Sequence, residues 1–186
     1  MLLKTISVVT LLNVVCGGGN VILAAKIFQF YGRNNKVWAF DTFEGMTKPR
    51  SIDFSSFEGS ALETWTSITS AGDASCESSL SEVVNNFRMF NINLDLVVFV
   101  KGKVEDTLIG RELPEEISIL RLDTDWYDST RVELAILYPL VKNGGIVMFD
   151  DYGYWGGHAK AIDEYFQDSK PFLIKIDDVC RMMIKH

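Results

Sequence analysis

Aspartates gather at two points of this chain in a pattern that could do chemistry: Arg121-Leu122-Asp123-Thr124-Asp125-Trp126-Tyr127-Asp128 and Phe149-Asp150-Asp151-Tyr152. Each group directly follows an apolar run of strand character, so parallel neighbouring strands would carry both to one sheet edge. Two unit charges about 4 Å apart repel by roughly 4 kcal/mol at an effective dielectric near 20, so carboxylates gathered this way need a compensating charge. Oxygen-only donors suit Mg²⁺, Mn²⁺ or Ca²⁺, and a carboxylate left over can serve as a general base. The blander alternative is that these aspartates are solvated or cap the next helix; Asp128, ahead of Ser129 and Thr130, is expected to cap. His158 and His186 are the only histidines, which excludes a multi-histidine metal site. Cys16, Cys76 and Cys180 form no Cys-x-x-Cys pair and indicate neither a zinc cluster nor a disulfide framework; reduced thiols in a cytoplasmic protein are the expectation.

A second set of residues surrounds a glycine turn. Cys16-Gly17-Gly18-Gly19-Asn20 separates an apolar run from a helical one, and such a turn lets a ligand approach the backbone at a positive helix N-terminus. Tight strand–helix packing would need the same glycines. Asp41, in Phe40-Asp41-Thr42-Phe43-Glu44-Gly45, lies roughly 20 residues further on, where a carboxylate commonly holds a ribose diol. The pairing suggests a nucleoside-bearing cofactor. The Gly-x-Gly-x-x-Gly fingerprint is incomplete, which lowers the case for a dinucleotide, and no phosphate-binding loop ending in Gly-Lys-Ser/Thr occurs.

The elements that must position these residues alternate along the chain. Short apolar runs at Leu11–Cys16, Val37–Asp41, Leu96–Val100, Ile117–Asp123, Gly145–Asp150 and Phe172–Ile176 read as strands buried on both faces. Between them, Val21–Phe30, Leu80–Phe90, Ser129–Val141 and His158–Phe166 carry apolar residues at helical spacing, with Gly144-Gly145 expected to stop the third helix. That order is the signature of an α/β fold with a mainly parallel sheet. The stretch 47–79, rich in Ser, Thr, Gly and Glu, reads as an insertion with a short helix, of the kind that forms a lid. The 186 residues, 47% hydrophobic, fit one domain covering 1–186. Lys and Arg number 18 against 25 Asp and Glu, a formal charge of −7, so nucleic acid is not an expected partner. The apolar run before Cys16 is short of the ~18–20 residues needed to cross a bilayer and lacks small residues for a signal cleavage site, so no membrane association is expected.

Several stretches taken together resemble the macrocin O-methyltransferase family of metal-dependent, S-adenosylmethionine-using sugar O-methyltransferases. They are Val37-Trp-Ala-Phe-Asp-Thr-Phe-Glu-Gly-Met46, Leu120-Arg-Leu-Asp-Thr-Asp-Trp-Tyr-Asp-Ser-Thr130, Leu137-Tyr-Pro-Leu140 and Gly144-Gly-Ile-Val-Met-Phe-Asp-Asp-Tyr152. Lys101-Gly102 followed by Glu105-Asp-Thr-Leu108, and Ala161-Ile-Asp-Glu-Tyr-Phe166, fit as well. The resemblance implies a Rossmann-like class I methyltransferase fold with helices on both faces of the sheet. It implies S-adenosylmethionine held by Gly17, Gly19, Asp41, Thr42, Gly102 and Asp123. It further implies Mg²⁺ or Mn²⁺ on Asp123, Asp150 and Asp151, with Asp125 as the base. The acceptor would be a small-molecule hydroxyl, of glycosidic type; a homo-oligomer is left open. Trp126, Tyr127, Tyr152, Tyr154 and Trp155 cluster near the acidic strand ends and could stack on a sugar ring, or simply fill the core.

The first turn here is shorter than the family's Gly-x-x-x-Gly-Gly, and little chain precedes Leu11, so an N-terminal truncation relative to the family is the expectation. Two alternatives stand beside the leading one: a catechol-type O-methyltransferase, and a non-catalytic binding module that has lost its cofactor turn. His158, alone at a helix start, is expected to be structural or exposed.

Overall fold

Apolar runs at the expected places form the sheet in the computed structural model, which describes residues 8–9, 18–72 and 76–186. The expected strand Leu11–Cys16, and with it Gly17, lies outside the described residues. β1 (Val8–Val9) pairs in parallel with β2 (Val37–Asp41), and β2 in parallel with β5 (Val97–Lys101). β6 (Ile117–Leu122) pairs in parallel with β7 (Val141–Phe149), and β1 lies alongside β6. The parallel strands therefore end at one edge of the sheet, delivering Asp41, Gly102, Asp123 and Asp150 to the same side.

Helices cover both faces. Val37 and Ala39 of β2 pack with Val21 and Ala25 of α1 (Gly19–Phe30) and with Val83 and Phe87 of α3 (Leu80–Met89). Phe40, one pleat over, joins Leu134 and Leu137 of α5 (Tyr127–Leu137) and Ile162 of α6 (Gly156–Tyr165) on the opposite face. Alternation of side chains along one strand thus feeds two cores. The boundary of α3 follows from its sequence: Ser79 and Glu82 form a reciprocal capping box.

Two expectations are corrected here. The helix expected to reach Val141 ends at Leu137, because Pro139 converts the chain to a short 3-10 turn, Tyr138–Leu140. β7 then begins at Val141, and Gly144 and Gly145 sit inside it at a bulge opposite Ile117–Ile119. Gly144 has φ +78, and a Cβ on Gly145 would lie 2.7 Å from Val141 Cγ1 and 2.8 Å from the Lys142 carbonyl oxygen, so both positions require glycine. At the C-terminal edge only β8 (Ile174–Lys175) is extended within the expected Phe172–Ile176. It pairs antiparallel with β9 (Arg181–Ile184), which itself runs antiparallel to β7. Asp177 closes that hairpin by accepting hydrogen bonds from the Val179 and Cys180 amides.

The 47–79 stretch is built around a small hairpin, β3 (Phe54–Ser55) with β4 (Gly59–Ser60), leading into α2 (Ala61–Ser70), whose cap is the Ser60 hydroxyl. A bridge from Ser55 to Trp155 and a hydrogen bond from Trp65 Nε1 to the Met46 carbonyl fasten it beside the strand ends. A further helix, α4 (Val104–Thr107), follows β5. Among the described residues no helix is long and apolar enough to cross a membrane.

Candidate active site at the strand ends

A cleft of about 520 Å³ opens between the N-terminus of α1 and the ends of β6 and β7. Gly18, Gly19 and Asn20 form one wall. Gly18 has φ +83, which lets the chain turn sharply into α1 and leaves first-turn amides at the cleft. Its floor holds Arg121, Asp123, Asp125, Asp150 and Asp151, while Tyr154, Trp155 and Met46 line the far side.

Asp123, Asp125 and Asp151 offer carboxylate oxygens that all lie within 4.8 Å of one another. Asp123 and Asp125 are nearly fully buried, at 6% and 8% exposure. Burial, reinforced by the neighbouring carboxylates, pushes both well above the usual carboxylate range and raises Asp151 as well. Asp125 is also held in a left-handed backbone conformation, φ +63, a strained geometry of the kind found at functional sites. A hard, all-oxygen donor set of this kind has the chemistry of a site for Mg²⁺ or Mn²⁺.

Asp150 stands slightly apart from that trio. Its Oδ2 accepts a hydrogen bond from Arg121 Nη2 at 2.6 Å, while Arg121 Nη1 donates to Asp123 Oδ2 at 2.5 Å. Burial alone would lower the guanidinium's pKa, but the two carboxylates outweigh it and hold Arg121 above its ordinary value. Arg121 thus offsets part of the repulsion among the acids.

Asp41 is buried beneath a second, much smaller cavity of about 30 Å³, which it shares with Thr42, Gly102, Thr124 and Trp126 and which meets the main cleft at Met46. Its Oδ1 accepts a hydrogen bond from the Phe43 amide at 2.6 Å, and the Gly102 amide donates to its carbonyl at 2.9 Å. Thr42 Oγ1 donates to the Gly45 carbonyl.

The five aromatics separate. Tyr154 and Trp155 line the cleft, with Phe57 of the insertion stacked on Tyr154 at 5.7 Å. Trp126 borders the smaller cavity, packs edge-on against Trp155 and donates from Nε1 to the Thr47 carbonyl. The structure does not bring Tyr127 or Tyr152 to either cavity: their hydroxyls donate to Glu164 and Asp163 on α6. His158 is wholly buried, hydrogen-bonded through Nδ1 to Thr130 Oγ1, and desolvation lowers it to about 4.

Asp128 does not cap α5. It sits inside the first turn and pairs with Arg50 at 2.9 Å, and the Tyr127 amide is instead capped by Asp53 Oδ1 from the insertion. Asp53 and Glu133 are buried acids that sequence reasoning missed. Glu133 carried a signal, since Thr130, Glu133, Leu134 and Leu137 share one helical face. Arg121 did too, as a charge within an otherwise apolar strand; Asp53, among Ser and Phe residues of the insertion, carried none.

A mainly parallel sheet with helices on both faces and a glycine turn and acids at its carboxyl edge is the fold of class I methyltransferases. The solved O-methyltransferase NovP superposes with a TM-score of 0.79 at 29% identity, covering 96% of this chain and 71% of that one. CalS11, a calicheamicin methyltransferase, shares the fold at TM-score 0.65 and 17% identity, covering 98% of this chain and 72% of its own. The macrocin O-methyltransferase (TylF) family model matches residues 11–185, and the chain belongs to that family. It is 32% identical over 149 residues to a demethyldecarbamoylnovobiocin O-methyltransferase of Streptomyces niveus, covering 80% of this chain and 54% of the relative. It is 30% identical over 136 residues to a mycinamicin III 3''-O-methyltransferase of Micromonospora griseorubida, covering 73% and 51%. The chain spans about half the length of the curated relatives it matches.

Proposed function

We propose that this chain transfers a methyl group from S-adenosylmethionine to a hydroxyl of a glycosylated small molecule, assisted by Mg²⁺ or Mn²⁺. The observation that carries the reading is that one cleft holds both the Gly18-Gly19 turn at the start of α1 and the carboxylates of Asp123, Asp125 and Asp151. S-adenosylmethionine supplies an electrophilic methyl on a sulfonium, and a divalent cation lowers the pKa of a hydroxyl bound to it.

The chain's own residues divide the remaining work. First-turn amides of α1 would receive the carboxylate of the donor's methionine part. Asp41, fixed by the Phe43 amide, would accept from the ribose hydroxyls, with Thr42 and Gly102 beside it. Asp123, Asp150 and Asp151 would hold the cation, and Asp125 would take the acceptor's proton. A carboxyl whose pKa is raised by burial, as at Asp125, is better matched to that proton than an exposed one. Trp155 and Tyr154 would flank the acceptor ring.

Isothermal titration with S-adenosylmethionine, with and without Mg²⁺, on the parent chain and on Asp41→Ala tests the reading. Binding in the parent that is lost in the variant supports it, and methyl transfer is then assayed on glycosides bearing free sugar hydroxyls. Absence of binding with or without Mg²⁺ overturns it.

A further inference from the structure

Glu133 is buried on α5 next to the turn that joins the two aspartates following β6, and no step of the proposed chemistry uses it. Its Oε2 accepts a hydrogen bond from Thr124 Oγ1 at 2.9 Å, while its Oε1, among the described residues, finds no partner. Thr124 is the residue between Asp123 and Asp125. Its carbonyl is gripped as well, by Ser129 Oγ at 3.1 Å and by the Trp126 amide at 2.7 Å. Thr124 is therefore pinned at both its side chain and its backbone, and the next residue, Asp125, is the one held at φ +63.

We propose that Glu133 is a positioning residue: through Thr124 it locks the Asp123-Thr124-Asp125 turn in the conformation that brings the Asp123 carboxylate to the cation and sets the Asp125 carboxylate beside it. The inference rests on the metal-assisted reading above. On α5, Leu134 and Leu137 beside Glu133 are fully buried. An aliphatic side chain would fill such a place without leaving a polar oxygen unpaired, so a carboxyl there lowers stability. What it supplies in return is a directional anchor for the Thr124 hydroxyl. Burial pushes the Glu133 carboxyl well above the usual carboxylate range, against a lowering by the Thr124 hydrogen bond. Without the anchor, the turn is free to leave the left-handed conformation, which an L residue disfavours, and Asp125 swings away from Asp123 and Asp151.

The test is Mn²⁺ binding, read from the free-Mn²⁺ electron paramagnetic resonance signal, which needs neither cofactor nor turnover. The parent, Thr124→Val, Glu133→Gln and Glu133→Leu are compared, with the thermal midpoint of each measured in parallel. Thr124→Val removes the hydroxyl with little change of shape, and is expected to weaken Mn²⁺ about tenfold, as loss of a ligand-orienting partner does. Glu133→Leu should weaken it to the same degree with no fall in thermal midpoint. Glu133→Gln, which keeps an acceptor for Thr124, should stay within about twofold of the parent, far from the loss expected when the anchor is gone. Combining Thr124→Val with Glu133→Leu should add nothing to either single loss. Mn²⁺ affinity unchanged in Thr124→Val overturns the proposal even where Glu133→Leu fails to fold. A parent that binds no Mn²⁺ overturns the metal-assisted reading itself, which separates the two failures.

Discussion

Asp53→Ala should detach the insertion from the carboxyl edge of the sheet. The Asp53 side chain is 1% exposed and joins two segments far apart in sequence: Oδ1 accepts from the Tyr127 amide at 2.9 Å and Oδ2 from the Arg50 amide at 2.8 Å. The first bond caps α5, the helix that begins where the acidic turn ends. Losing a cap costs about 0.5–2 kcal/mol, and losing a hydrogen bond to a charged group costs about 1.5–3 kcal/mol. Against this, the substitution relieves the desolvation that raises the Asp53 pKa, and exposed Arg50 can rehydrate its own amide. The net loss is about 2 kcal/mol, which lowers the thermal midpoint by roughly 4–8 °C for a chain of this size.

Thermal unfolding followed by circular dichroism reads the midpoint, and hydrogen exchange at the Tyr127 amide reads the cap itself. Asp53→Asn should fall between parent and Asp53→Ala, because its carbonyl oxygen can still accept from Tyr127 while its amide faces the Arg50 N–H, donor against donor. A midpoint within about 1 °C of the parent for Asp53→Ala, a quarter or less of the expected shift, would refute the assignment of this contact as the clasp.

Three other outcomes are expected. Gly157→Ala would put a Cβ 1.9 Å from Asp53 Oδ1, so it should cost about 1–3 kcal/mol by overpacking and be less than additive with Asp53→Ala in urea denaturation. His158, lowered to about 4 by burial, holds fewer protons folded than unfolded; its contribution is full above pH 6.5 and lost as pH falls towards 4. Between pH 7 and 5 it should withdraw about 2 kcal/mol, and His158→Leu should show a correspondingly shallower dependence in urea titrations at the two pH values. Asp125 is raised by burial and by Asp151, so its contribution is present below its unfolded value and lost as pH rises through the folded one. In chelator at pH 8, Asp125→Asn should therefore melt about 2 °C or more above the parent, and equal midpoints would contradict the repulsion assigned to the cluster.

Strands and the acidic motif were legible because both are local. Val37–Asp41 is an unbroken apolar run ending in a carboxylate, and the observed β2 has the same bounds. The acids at the ends of β6 and β7 needed only the parallel arrangement of those strands to converge, and the sequence pattern implied it. What holds them could not be read the same way. Asp53 reaches Tyr127 across 74 positions, and Arg121 meets Asp150 across 29. Helical spacing continues past Leu137 to Val141 in the sequence, but Pro139 ends α5 in the structure. The divergent fates of Tyr127 and Tyr154, so close in type and setting, depend on which way each turn faces, and that is set by Asp53 and by the Ser55–Trp155 bridge.

The site and the stability of this fold pull in opposite directions, and the opposition makes cation binding readable without chemistry. Asp123 and Asp125 are buried and Asp151 half-buried beside them, with Asp125 on a left-handed residue, over a Glu133 with an oxygen unpaired among the described residues. Each of these features favours the unfolded chain, where the acids separate and hydrate. Arg121 answers only part of the charge, since its two bonds go to Asp123 and Asp150. A divalent cation held by the folded acidic site and not by the unfolded chain would reverse the deficit by mass action. At a concentration 100 times its Kd the gain is about 2.7 kcal/mol, or a midpoint higher by roughly 5–11 °C. Ions of the wrong chemistry, such as Na⁺ at equal ionic strength, screen the acids but do not bridge them, so the rise with Mg²⁺ or Mn²⁺ should far exceed theirs. A rise of the same size with Na⁺ would mean that the acids are a repulsive surface and not a binding site.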